Sequence, residues 1–230
     1  MNSIKLGKKN VYPFKSKLEF LEFIQHKKAI LIALNAEKLV RRDTVLDDII
    51  NNNIGYADGI GAVLALRRKG IRAIKIAGAE FWLDIIGRYE NSKSFYFIGS
   101  TSEVIGKTIG KLQKDYPNID IVGFRNGYFE KGEKEKLTFD LKTKKPDVVF
   151  VAQGSPRQEI LMSELMEEYP ALYMGLGGSF DVYAGMKKRA PNIYQKLGLE
   201  WFYRLVKEPT RISRQSSLFT FLIKIIFGRV

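Results

Sequence analysis

Cysteine is missing from this chain, and histidine occurs once, as His26. Disulfides and thiolate ligands are therefore excluded, as is a histidine-rich metal site. A cytosolic compartment is compatible with that composition. No stretch holds the roughly 20 consecutive apolar residues that a membrane-spanning helix needs. The basic N-terminus runs into the polar segment 15–19 without the continuous apolar core of a signal peptide. The first predicted strand ends without the G-x-G-x-x-G of a dinucleotide-binding oxidoreductase, and no internal repeat or low-complexity linker interrupts the chain.

What is present is length, positive charge and a repeated alternation. At 230 residues the chain suffices for one sizeable core with a small appendage and is too short for two full Rossmann domains. Lys and Arg total 38 against 25 Asp and Glu, a net charge of +13. Such a charge calls for an anionic partner: nucleic acid, a lipid surface or a phosphorylated substrate. No distinctive nucleic-acid fold motif accompanies it, so no nucleic-acid partner is expected; a basic nucleic-acid- or membrane-binding module without catalysis, and another nucleotide-dependent Rossmann-like enzyme, stay open as alternatives.

After an irregular or short-strand start over 1–14, apolar runs at 29–34, 54–57, 73–77, 95–98, 119–124, 148–152 and 172–176 read as strands. Helical spacing predicts helices over 17–28, 37–50, 60–69, 80–89, 103–114 and 131–142, and Pro156 can open another. This alternation favours an α/β fold, a single Rossmann-like domain with a mostly parallel central sheet, over a bundle or a barrel. The core is assigned to residues 1–191. From 192 to 230 the composition changes to seven Lys/Arg against two Glu, and reads as a C-terminal helical appendage outside the sheet. Its stretch 218–227 is apolar apart from Thr220 and Lys224. That stretch suits insertion into an anionic membrane surface, or burial against the core or a partner subunit in a homo-oligomer.

Two strands deliver glycine-rich clusters at their exits: Gln153-Gly154-Ser155-Pro156 and Gly175-Leu176-Gly177-Gly178-Ser179. In a parallel sheet the C-terminal strand ends form the ligand crevice. Free amides at a helix start receive anions, and glycine lets backbone approach a ligand closely. A phosphate-bearing substrate is the expectation; tight turns and strand–helix packing are the alternative. Asp58, before Gly59, stands at another strand exit, as a reactive carboxylate or as an Asx-turn or helix cap.

The spaced blocks Leu34-Asn35-Ala36-Glu37, Asp58-Gly59-Ile60-Gly61, Ala77-Gly78 with Glu80, and Asn126-Gly127-Tyr128-Phe129 continue into Gly154-Ser155-Pro156-Arg157-Gln158-Glu159 and the second glycine cluster with Phe180-Asp181. Ala184-Gly185, Arg189-Ala190-Pro191, Gly198-Leu199-Glu200-Trp201 and Tyr203-Arg204-Leu205 complete the series. Together they resemble the WecG/TagA/CpsF family of bacterial glycosyltransferases, glycosyltransferase family 26. The resemblance implies inverting transfer of an N-acetylmannosamine-type sugar from a UDP donor to undecaprenyl-diphosphate-linked N-acetylglucosamine. Members serve teichoic acid, common antigen or capsule synthesis. It also implies a peripheral protein on the cytoplasmic face of the membrane, with the C-terminal appendage bringing it there and completing the site.

Carried over residue by residue, the resemblance makes Asp58 the catalytic base, taking the proton of the acceptor hydroxyl. Asn35 becomes a substrate contact or an orienter of Asp58, its alternative being to satisfy strand-end backbone. Glu80, Gln158, Glu159, Gly154, Gly177, Gly178 and Asp181 become substrate-binding candidates, while Arg204, Arg211 and Arg214 become candidates for the lipid diphosphate. Two departures stand out: Ala33 replaces a common threonine, and Glu80 replaces the usual aspartate. With no D-x-D motif in the chain, no metal cofactor is expected, the leaving-group charge falling to backbone amides and Arg/Lys.

Overall fold

The computed structural model describes residues 1–130, 132–188, 190, 191, 193, 194, 203 and 206. The expected appendage, with Arg204, Arg211 and Arg214, lies almost entirely outside the described residues.

Chain order is β1 (Ile4–Leu6), β2 (Lys9–Val11), α1 (Lys17–Ile24), β3 (Ala29–Leu34), α2 (Ala36–Val40), α3 (Thr44–Asn51), β4 (Ile54–Ala57) and α4 (Ile60–Arg68). There follow α5 (Gly78–Tyr89), β5 (Ser94–Gly99), α6 (Ser102–Asp115), β6 (Asp120–Arg125), α7 (Glu133–Lys144), β7 (Val148–Ala152), α8 (Arg157–Glu168), β8 (Leu172–Gly175) and α9 (Ser179–Tyr183). Six strands form one sheet in the order β4-β3-β8-β7-β5-β6, every pair parallel. This is a mixed α/β domain with a Rossmann-like core.

Strands buried on both faces alternate between two apolar layers. Ile30, Ile32 and Leu34 of β3 point into the layer that holds residues of α2, α3, α4, α7 and α8, while Leu31 points into the other. The second layer is rich in rings: Phe81 and Trp82 of α5 and Phe180 of α9 pack with Phe95, Phe97 and Phe150 of the sheet. Burial of each such side chain is worth about 1.5–3 kcal/mol, so covering both faces holds the strand ends in register.

Helix starts are written locally. Ser16, Asn35, Asp43 and Thr101 each accept an amide hydrogen bond from the residue three further on, ahead of α1, α2, α3 and α6. The helix expected over 37–50 is in fact two, because Arg41 turns extended and Asp43 caps a new start. The expected strand at 73–77 is not one. That segment carries the chain from α4 in one layer to α5 in the other, tied at two points by Ile74 N donating to Phe14 O and Ile76 N to Ala57 O. A crossing segment cannot run a ladder. The start of the chain is a hairpin, and just beyond β2 Tyr12 N donates to Gly55 O at 2.7 Å, which covers the outer edge of β4.

Candidate active site

All the strands exit on one rim, and the order of the sheet decides which exits are neighbours. β3 and β4 pair through Leu34 and Ala57, so Asn35 and Asp58 follow side by side; Asp58 N donates to Leu34 O at 3.0 Å. Gly59, at φ +92, turns the chain from Asp58 into α4 through a conformation that L side chains rarely adopt. Asp58 is half-buried, its side chain at the rim. Asn35 Oδ1 accepts from Lys38 N at 2.9 Å as the cap of α2, which leaves its amide NH₂.

Glu80 sits in the first turn of α5, whose start packs tightly over the same two strands. A Cβ on Gly78 would stand 2.8 Å from Tyr56 Oη and 3.2 Å from Ala33 Cβ. The departure Ala33 therefore faces the start of α5. The buried Tyr56 hydroxyl has no hydrogen-bond partner among the described residues. Burial pushes its pKa well above the ordinary tyrosine value, and the charge of Asp58 adds to the shift, so Tyr56 is a neutral neighbour of the carboxylate.

On the β7–β8 side the two glycine clusters are fastened to each other by one side chain. Gln158 Oε1 accepts from Gly154 N at 3.2 Å and from Gly177 N at 2.8 Å, and its Nε2 donates to Glu159 Oε1 at 3.1 Å. Gln158 is thus turned inward, buried under the two loops it holds. Glu159 is 1% exposed and pairs with Lys38 Nζ at 2.6 Å. Burial pulls the Glu159 carboxyl upward, but the charge of Lys38 and the bonds from Lys38 and Gln158 outweigh it, and the net pKa lies below the usual glutamate value. Glycine is needed at positions 154 and 177, with φ at +79 and +59. Gly178 precedes α9 at an ordinary φ.

The third part of the rim lies past β5 and β6. Asp181 Oδ2 accepts from Ser100 Oγ at 3.2 Å, and Oδ1 pairs with Lys187 at 3.3 Å. Gly127 N donates to Ser100 O, and Gln153 Nε2 donates to Gly127 O at 2.6 Å, so the exits of β5, β6 and β7 are woven together. Among the described residues, no group of three or more His, Asp or Glu is placed to hold a metal ion.

Asp58, Asn35, Glu80, Gly154, Gly177, Gly178 and Asp181 therefore share the C-terminal rim, while Gln158 and Glu159 brace it from beneath. Sequence reasoning missed Lys38, Ser100 and Tyr56, and gave Gln153 only as a member of its glycine cluster. Lys38 pairs with a residue 121 positions away, and nothing in a lysine one turn into a helix announces that.

A parallel sheet covered on both faces, with polar side chains and glycine turns gathered at its strand C-termini, defines a Rossmann-like α/β protein, a fold whose ligands bind at that rim. Residues 10–230 match the Glycosyl transferase WecG/TagA/CpsF family, and the chain belongs to it.

Proposed function

We propose that this protein is an inverting glycosyltransferase moving an N-acetylmannosamine-type sugar from a UDP donor to undecaprenyl-diphosphate-linked N-acetylglucosamine. The observation that carries the reading is the family match over 10–230 together with Asp58 on the rim it shares with both glycine loops. In the proposed step the acceptor hydroxyl oxygen attacks the donor anomeric carbon and its proton passes to Asp58. The anomeric carbon–oxygen bond to UDP breaks with its electron pair on the nucleotide, which leaves as the diphosphate. Asn35, with its amide hydrogens unspent on the helix cap, and Glu80 flank the attacking side. Gln158 holds the amides of Gly154 and Gly177, so the neighbouring amides of Ser155 and Gly178 meet the leaving diphosphate. Gln158 and Glu159 serve the donor through the loops they hold, and Asp181 shapes the far wall beside Ser100.

Arg204, Arg211 and Arg214 are assigned to the lipid diphosphate, because paired guanidinium donors match phosphate oxygens. The 192–230 appendage is assigned to an anionic membrane surface on the cytoplasmic side. Among the described residues, no helix is long and apolar enough to cross a membrane.

The test is acceptor-dependent UDP release, run across UDP-N-acetylmannosamine, its uronic acid and related donors. Asp58→Ala should lower transfer by roughly 100- to 10,000-fold, the usual contribution of a positioned base, while UDP binding and melting temperature stay put. Near-normal transfer by purified D58A protein removes Asp58 from its role.

A further inference from the structure

We propose that the outward face of α4, which begins two residues after Asp58, is itself a membrane contact that docks on an anionic lipid surface independently of the C-terminal appendage. The helix reads Ile60-Gly61-Ala62-Val63-Leu64-Ala65-Leu66-Arg67-Arg68, with Ala62, Val63, Ala65 and Leu66 buried against the domain. Its outward positions ought then to be polar. In the first two turns they are instead Ile60, 42% exposed, and Leu64, 38% exposed, one above the other on a single stripe. No polar side chain appears before Arg67. A stretch apolar all round belongs in a core or in lipid, and residues 60–66 have a side open.

Charge supplies the second observation. Between Asp58 and Glu80 the chain carries Arg67, Arg68, Lys69, Arg72 and Lys75 and not one Asp or Glu. Arg67 and Arg72 are exposed and make no ion pair among the described residues. Lys69 Nζ donates to Lys5 O, which sets the exposed Lys5 of the hairpin against the same end of the helix. Apolar side chains followed by a cluster of cations are the pattern of a helix lying in a membrane interface.

The charge also selects the occupant. A second copy of the chain would bring the same five cations against these and is repelled. A soluble polyanion would answer the cations and leave Ile60 and Leu64 in water, whereas an anionic lipid surface answers both. At nine residues the helix is about 13 Å long. Laid flat, it brings the Asp58 exit to the level of the lipid headgroups, where a lipid-borne acceptor would arrive. The inference draws its purpose from the proposed lipid-linked acceptor, but none of its evidence.

The chain has no cysteine, so Leu64→Cys in the full-length protein accepts a single environment-sensitive dye. Vesicles of phosphatidylglycerol and phosphatidylcholine in equal parts should shift the dye to the blue and raise its emission at least about twofold. Pure phosphatidylcholine should not, nor should either vesicle affect the dye at Gln113→Cys on the opposite layer. In sedimentation of the full chain, R67Q/R72Q should weaken binding to the anionic vesicles about 30-fold, at roughly fivefold per cation. I60Q/L64Q, which changes no charge, should weaken it as well while leaving the circular dichroism spectrum unchanged. An unshifted dye at 64 on protein that sediments with vesicles overturns this contact and leaves anchoring by the appendage standing. A dye that shifts with protein concentration and no vesicles overturns it in favour of a second copy. Absence of sedimentation ends both membrane assignments, while transfer to a water-soluble acceptor remains the separate measure of catalysis.

Discussion

At Glu159 two opposing effects meet: burial favours the neutral acid, and Lys38 at 2.6 Å favours the anion. The anion wins, so the folded-state pKa lies below the unfolded one. Stability from the pair is complete above the ordinary glutamate range and is lost as pH falls through the lowered folded value. Removing one partner strands a buried charge, which costs about 3–5 kcal/mol. Lys38→Met should therefore lower unfolding stability in denaturant titrations by that amount at neutral pH. In acid its deficit should narrow, because the stranded carboxyl then takes up a proton. K38M/E159L should regain much of the loss, since the two uncharged side chains need no desolvated partner. The same scale explains Ala33. Its methyl lies under the start of α5, close to Gly78, so the small residue at 33 and the glycine at 78 are matched in this chain.

At the scale of the element, β7 and β8 each end in a loop that the sequence shows as glycine-rich and that only the fold shows as joined. Gln158→Leu removes the acceptor of the Gly154 and Gly177 amides, and two half-buried donors lose their partner, at about 1 kcal/mol each. The expected outcome is weaker UDP binding by calorimetry with a smaller loss in the rate at saturating donor. Gly177→Ala, at φ +59 with open space around its added Cβ, should cost about 1–2 kcal/mol of backbone strain and lower melting temperature and donor affinity together. Local chemistry made many of these elements legible, among them β3, β4 and β7. It missed the break at 41–43 and the crossing at 73–77. In the first case helical spacing on either side hid an extended Arg41. In the second an apolar run looked like a strand, although as it crosses between the layers its backbone bonds go singly to two different neighbours, Phe14 and Ala57, and build no ladder.

For the whole molecule the governing quantities are the +13 charge and the order of the sheet. Binding to anionic vesicles should weaken steeply with salt, since raising ionic strength from 0.1 M to 1 M shortens the screening length from about 10 Å to about 3 Å. Truncation after Gly198 should reduce what sediments at low salt. Unchanged sedimentation would remove the appendage from membrane binding. The sequence by itself determined the alternation of strands and helices, the glycine turns, the excess of cations and the family blocks, because each is written in neighbouring residues or in spacing along one element. It could not determine that β8, the last strand, would lie between β3 and β7 and so bring the 177 loop to Gln158 on one side and to the Asn35–Asp58 exits on the other. Nor could it pair Lys38 with Glu159. Those contacts follow from burying both faces of six strands at once, a condition on the folded whole that no local stretch of chain carries.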